Sequence, residues 1–171
     1  MPWPLRRPRP RTCSPTRRRA AASPLALSSI SWRVLAVAAD AGDVPFRPGT
    51  TDEMLAATRS RVSALIAGGT GVVSLGGDHL VSYPLLQAHH EHYGPMALVH
   101  FDAHCDTWEY DAEAPLHHGM MFLQAAREGL VEPSKSVQIG MRTPNDTMGF
   151  NVFDMLRVDE LGVAGMVEAI R

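Results

Sequence analysis

Met96-Ala97-Leu98-Val99-His100-Phe101-Asp102-Ala103-His104-Cys105-Asp106 decides the reading of this chain. Its first six residues are an apolar run that reads as a buried strand, and Asp102, His104 and Asp106 follow at alternate positions. In an extended chain, residues two apart point to the same side. One short segment can therefore aim a carboxylate, an imidazole and a second carboxylate at one point. Mixed carboxylate and imidazole donors suit a divalent ion such as Mn²⁺ better than a thiolate-preferring metal. Alone, a D-x-H triplet would read as a polar loop. Gly76-Gly77-Asp78-His79, one β-α-β step upstream, turns the reading towards a metal centre.

Outward from this stretch, strands and helices alternate. Arg33–Ala39 reads as a strand. Thr50-Thr51-Asp52-Glu53 has capping-box spacing, and Leu55, Val62, Leu65 and Ile66 recur at helical intervals until Gly68-Gly69. Val72–Leu75 reads as a strand, Val81–Tyr93 as a helix, Gly119–Gly129 as a helix and Ser136–Ile139 as a strand. Val152–Val158 reads as a further strand, and Asp159–Arg171 as a closing helix with Leu161, Val163, Met166 and Ile170 on its apolar face. Such alternation predicts right-handed β-α-β units and a parallel α/β sheet, with ligands bound where loops leave the carboxyl ends of strands. If the strands before His79 and Asp102 are neighbours, all four polar groups meet on one rim.

All eight histidines fall between His79 and His118. His89, His90 and His92 lie on the predicted helix and read as a solvated face. His100, opposite Phe101 in its strand, reads as an interior histidine with satisfied polar atoms.

Charge is uneven. Residues 1–32 hold seven arginines, six prolines and no acidic residue. Proline at this density opposes both helix and sheet, so a disordered leader is predicted there and a folded domain over residues 33–171. A basic, acid-free leader also fits a mitochondrial address or a nucleic-acid arm, although its prolines oppose the amphipathic helix of a transit peptide. With fifteen arginines against one lysine in the chain, a spurious leader from a GC-rich gene is the favoured reading. Without the leader's seven arginines, nine basic groups face eighteen acidic ones. That balance argues against nucleic acid as a partner and suits a cationic substrate. No apolar run approaches the roughly 20 residues needed to cross a bilayer, so no membrane span is predicted. Cys13 and Cys105 are the only cysteines, which is no disulfide framework and favours the cytoplasm.

Gly76-Gly77-Asp78-His79, Val99–Asp106, His118-Gly119-Met120-Met121-Phe122 and Ser136–Thr143 together resemble the ureohydrolases, the arginase/agmatinase family, and its agmatinase branch in particular. The resemblance runs from about Arg33 to Arg171. It implies an arginase-like three-layer α/β/α fold, a binuclear Mn²⁺ centre, and hydrolysis of a guanidino compound, agmatine by local match, to urea and putrescine. By position, the resemblance makes His79 and Asp106 ligands of one ion, His104 a ligand of the other and Asp102 the bridge. Asp78 would support these by hydrogen bonding, and His118 would shuttle protons beside the substrate. His117 replaces an aspartate usual in the family, and Cys105 is expected to face away as a packed thiol. The chemistry is coherent: two divalent ions roughly 3.5–4 Å apart lower the pKa of water towards neutrality. Hydroxide can then attack the guanidinium carbon while a histidine protonates the departing amine. Relatives assemble as trimers or hexamers, so a homo-oligomer is expected.

The family also draws aspartates from a later S-F-D-x-D segment, and this chain reaches Arg171 without one. The expectation is therefore a partial domain with an incomplete second ion site, impaired in metal binding and turnover. The alternative is a catalytically inactive arginase-fold module that binds metal weakly or assembles with a full-length relative.

Overall fold

The computed structural model describes residues 39–47, 49–109 and 115–171. The predicted leader and the body of the predicted Arg33–Ala39 strand lie outside the described residues. Ala41–Arg171 forms one unit and holds every element described below.

Helix α1 (Thr51–Ala67) starts where expected, but the capping box does not form. The Thr50 hydroxyl turns back to the carbonyl of Arg47, and Glu53 takes the Arg47 guanidinium at 2.7 Å. The nearby arginine outcompetes the local cap. At the other end the glycines stop the helix as predicted. Gly69 adopts φ +76°, and the N–H groups of Gly69 and Thr70 bond to the carbonyls of Ile66 and Leu65, which satisfies the helix's last acceptors. Helix α2 (Ser82–Tyr93) packs on α1, with Val62, Ile66 and Ala88 buried between them. A short 3₁₀ turn, His79–Val81, leads into α2, and Asp78 Oδ1 caps it by accepting from the Leu80 N–H at 3.0 Å.

The sheet has three parallel strands in the order β1 (Val99–Phe101), β2 (Val137–Met141), β3 (Asn151–Asp154). The predicted strand from Met96 is shorter than expected: Met96 makes one isolated bridge, to Val131. Helix α3 (Met121–Arg127), entered through a 3₁₀ turn at His118–Met120, supplies the centre of the core. Met121, Phe122 and Leu123 are almost fully buried, and Met121 and Phe122 cluster with Leu80, Tyr83, Val131 and Phe150. Each such side chain contributes about 1.5–3 kcal/mol by leaving water.

Two predicted strands need correction. Val72–Leu75 pairs with no strand among the described residues, and Val73 and Leu75 are 92% and 97% exposed. A strand needs a ladder partner, and β1 does not provide one: its own Val99 and Phe101 are also exposed. The strands before the two motifs are therefore not neighbours. The predicted strand Val152–Val158 ends at Asp154, where helix α4 (Met155–Ala169) begins. Asp154 Oδ1 accepts the Arg157 N–H at 2.7 Å, and this N-cap converts an apolar run from strand to helix. Gly162 (φ 59°, ψ −179°) interrupts α4, so its predicted apolar face is broken. Met166 is buried, whereas Val163 and Ile170 are exposed.

Gly140 shapes the sheet where it meets the first motif. It adopts φ +94° at an irregularity in the β2–β3 register, and a Cβ there would lie 3.1 Å from the Asp102 carbonyl oxygen. Glycine lets β2 pass this close to the loop after β1. The Asp102 N–H bonds to the Ile139 carbonyl, and the Arg142 N–H bonds to the Ala103 carbonyl. The backbone of the first motif is thereby tied to the end of β2.

Candidate metal centre

Beyond Phe101 the chain is not extended. Asp102 and Ala103 form a bend, and Asp106 takes the left-handed conformation at φ 52°. Simple alternation therefore does not bring Asp102, His104 and Asp106 together; turns do. Asp102 Oδ1 accepts the His104 N–H at 2.9 Å, closing a local turn. Asp106 is buried, and its carbonyl accepts the N–H groups of Phe122 and Leu123 at 3.0 and 3.4 Å. These are first-turn donors of α3 that have no partner within the helix. Aspartate tolerates the left-handed region better than most residues, and packing against α3 holds it there.

His79 reaches the same place from the 3₁₀ turn before α2, not from a paired strand. Its Nδ1 lies 2.6 Å from Asp106 Oδ2 and 3.6 Å from Asp102 Oδ2. Edge-on contact with Phe122, at 5.3 Å between ring centroids and 89°, sets the ring's orientation. His104, half-exposed, approaches from the other side, with Nδ1 3.5 Å from Asp102 Oδ1. Asp102 thus stands between two imidazoles and offers one oxygen to each. His118 does not join this group; it is exposed, with Nδ1 3.8 Å from Asp78 Oδ2. Asp78 itself caps the turn and makes no hydrogen bond to a predicted ligand. Cys105 is a buried free thiol, as expected.

The electrostatics follow the geometry. The hydrogen bond to Asp106 raises the pKa of His79 above 6.5; burial opposes this, and the charges of Asp106, Asp102 and Asp78 reinforce it. Burial alone would raise Asp102. The backbone N–H groups of His104 and Ala103, with His100 and His79 nearby, outweigh burial and hold the carboxyl below its ordinary value. Burial drives His100 down to about 4, and the neighbouring His79 adds to this, so its ring is neutral near pH 7.

His100 lies where the sequence reading placed it but departs from it in the satisfaction of its polar atoms. It is buried (5% exposed) opposite an exposed Phe101, as the alternation required. One of its two nitrogens is not satisfied: among the described residues Nε2 makes no hydrogen bond and lies 3.7 Å from Asp102 Oδ2. His79, His100 and Asp102 bring a potential donor atom each within 4.8 Å of one another. The signal was present in H-F-D, because His100 and Asp102 are themselves two apart.

The donor chemistry fits a divalent ion. His79 lies against both Asp106 and Asp102, His104 lies against Asp102, and imidazole with carboxylate is a set that suits Mn²⁺.

Comparison with known proteins agrees. The sequence pattern of the Arginase family matches residues 11–171, and the chain belongs to that family. It is 51% identical over 109 residues to an agmatinase of Chromobacterium violaceum, an alignment covering 63% of this chain and 34% of that protein. It is 45% identical over 133 residues to an agmatinase of Proteus mirabilis, covering 77% and 43%. The crystal structure of a hypothetical agmatinase from Burkholderia thailandensis superposes with a TM-score of 0.72 at 43% identity, over 75% of this chain and 42% of that one. The fold is the arginase-like α/β/α arrangement on a parallel sheet. The chain spans between a third and a half of the length of these relatives. No helix among the described residues is long and apolar enough to cross a membrane.

Proposed function

We propose that this chain carries metal-ligating residues of an agmatinase-type amidinohydrolase, which hydrolyses agmatine to urea and putrescine with Mn²⁺. The observation that supports this best is Asp102, with Oδ2 towards His79 and Oδ1 towards His104 at nearly equal distances. A carboxylate so placed is a bridging ligand in waiting. Identity of 51% and 45% to two agmatinases favours agmatine as the guanidino substrate.

In this reading His79, Asp102 and Asp106 would hold one ion, and Asp102 and His104 the other. Bound there, the ions would supply Lewis acidity that brings the pKa of water towards neutrality for attack on the guanidinium carbon. The chain's own groups do the rest. His79 would have to be neutral to ligate, so its contact with Asp106 competes with metal binding. The carboxylates of Asp102 and Asp106 offset the positive charge of the guanidinium. His118, exposed beside Asp78, would give a proton to the departing amine.

Three protein donors at one position and two at the other are few for manganese, so these residues alone hold the second ion weakly. Cytoplasmic residence and a trimeric or hexameric assembly belong to the same proposal, by family resemblance. The test is calorimetric titration of the purified chain with Mn²⁺, followed by a urea-release assay with agmatine, arginine and guanidinobutyrate. Binding of one ion more tightly than a second, and any urea release restricted to agmatine, is the expected result. Failure to bind Mn²⁺, or preference for arginine, would overturn it. Binding without urea release would instead favour the inactive metal-binding module.

A further inference from the structure

Gln138 is fully buried in β2, directly across the β1–β2 ladder from His100. Its Oε1 makes no hydrogen bond among the described residues, so the amide's contacts all run through Nε2. Its Nε2 lies 2.8 Å from the backbone carbonyl of Cys105. A carbonyl can only accept, so this end of the amide is the NH₂ group; the flipped amide would place two acceptors face to face. The second hydrogen of that NH₂ is directed at His100 Nδ1, 3.3 Å away. Nδ1 must therefore present a lone pair, and the single proton of the neutral ring resides on Nε2. Nε2 is the atom that faces Asp102 Oδ2 at 3.7 Å with no other partner among the described residues.

We propose that Gln138 is a positioning residue of the metal centre: it locks His100 in the Nε2–H tautomer, whose N–H then steadies Oδ2 of Asp102. The inference rests on the metal-centre reading above. Asp102 Oδ1 accepts the His104 N–H at 2.9 Å. His100 adds a restraint on Oδ2, the oxygen that faces His79. A shift of about half an ångström would bring the 3.7 Å separation within hydrogen-bond range.

The same logic decides whether His100 is itself a ligand, as its closeness to His79 and Asp102 allows. Ligation through Nε2 requires the proton on Nδ1, donated to an acceptor. Gln138 presents a donor to Nδ1 instead. It keeps His100 out of the ligand set and makes it a support for Asp102.

The test combines spectroscopy and binding. Long-range ¹H–¹⁵N correlation on the metal-free chain should assign His100 to the Nε2–H tautomer; an Nδ1–H tautomer would overturn the inference. His100→Phe, which keeps a ring against Phe122, should weaken Mn²⁺ binding roughly 10- to 100-fold in calorimetry. Gln138→Glu should move the His100 proton to Nδ1, read by the same correlation, and change Mn²⁺ affinity through the freed Nε2 lone pair. Because Gln138 acts through His100, the double variant should bind Mn²⁺ no worse than His100→Phe alone. Equal changes from Gln138→Glu in both backgrounds would reduce Gln138 to a structural role and sink the proposal. If Gln138→Glu does not fold, the wild-type tautomer and the effect of His100→Phe still decide. An Nε2–H tautomer in a chain that binds no Mn²⁺ would defeat the metal-centre reading, and this proposal with it. An Nδ1–H tautomer in a chain that binds Mn²⁺ would defeat this proposal alone.

Discussion

Replacing Phe122 by alanine tests whether the core and the metal centre are one structure. The ring is 2% exposed and sits 5.3 Å from His79, 4.7 Å from His100 and 6.5 Å from Phe150 between ring centroids. Truncating a buried phenylalanine to alanine costs about 3–5 kcal/mol, from lost transfer energy and from the cavity left behind. Domains of this kind are stable by roughly 5–15 kcal/mol, so Phe122→Ala removes about a fifth or more of the total. Phe122→Leu keeps most of the volume and should cost less than about 1.5 kcal/mol. Urea denaturation of the metal-free chain, followed by near-ultraviolet circular dichroism, measures both. The same cavity frees the His79 ring on one face, so Mn²⁺ affinity should fall in Phe122→Ala even where it remains folded. A cost below about 1 kcal/mol for Phe122→Ala would refute the packing argument. Unchanged Mn²⁺ affinity in a destabilised variant would separate the core from the site.

Further expectations follow from the cap and from the imidazole. Asp154→Ala should cost about 1 kcal/mol by removing the α4 cap, and Asp154→Ser should restore most of it; equal stabilities in thermal melts would refute the capping role. His79 has a raised pKa, so its ion pair with Asp106 stabilises the metal-free fold fully below the ordinary value of 6.5 and fades as pH rises through the raised one. An entering ion must displace that proton, so apparent Mn²⁺ affinity should climb with pH across this window and then level off. Calorimetry from about pH 6 to 9 measures this, and a flat profile would remove His79 from the ligand set.

What was legible in the sequence was whatever local interactions decide. Helices α1 and α2 follow from apolar spacing, and the end of α1 follows from Gly68-Gly69. Val72–Leu75 has the composition of a strand, but strand formation depends on a partner elsewhere in space, and no local pattern reveals one. At Val152–Val158 the apolar run pointed to a strand until Asp154, whose carboxylate redirects the backbone into a helix. The capping box at Thr50 failed because Arg47, six residues before Glu53, offered a stronger partner. In the site, His79, Asp102, His104 and Asp106 were readable as residue types in a spacing, although turns and not alternation unite them. His100 was passed over because a histidine inside an apolar strand looks like core. Only its pairing with Gln138, set by register between two strands, shows which way its nitrogens face.

Asp106 joins two functions in one residue, and this makes the site observable from outside it. Its carboxylate meets His79, while its carbonyl secures the amides of Phe122 and Leu123 at the start of α3. Those two amide hydrogens can exchange with solvent only when the Asp106 loop lets go of the helix. Their exchange rates therefore clock the opening of the site, without a probe attached to any ligand. An ion that draws Asp106 into its coordination shell would slow both amides together, leaving those of α1 as an internal control.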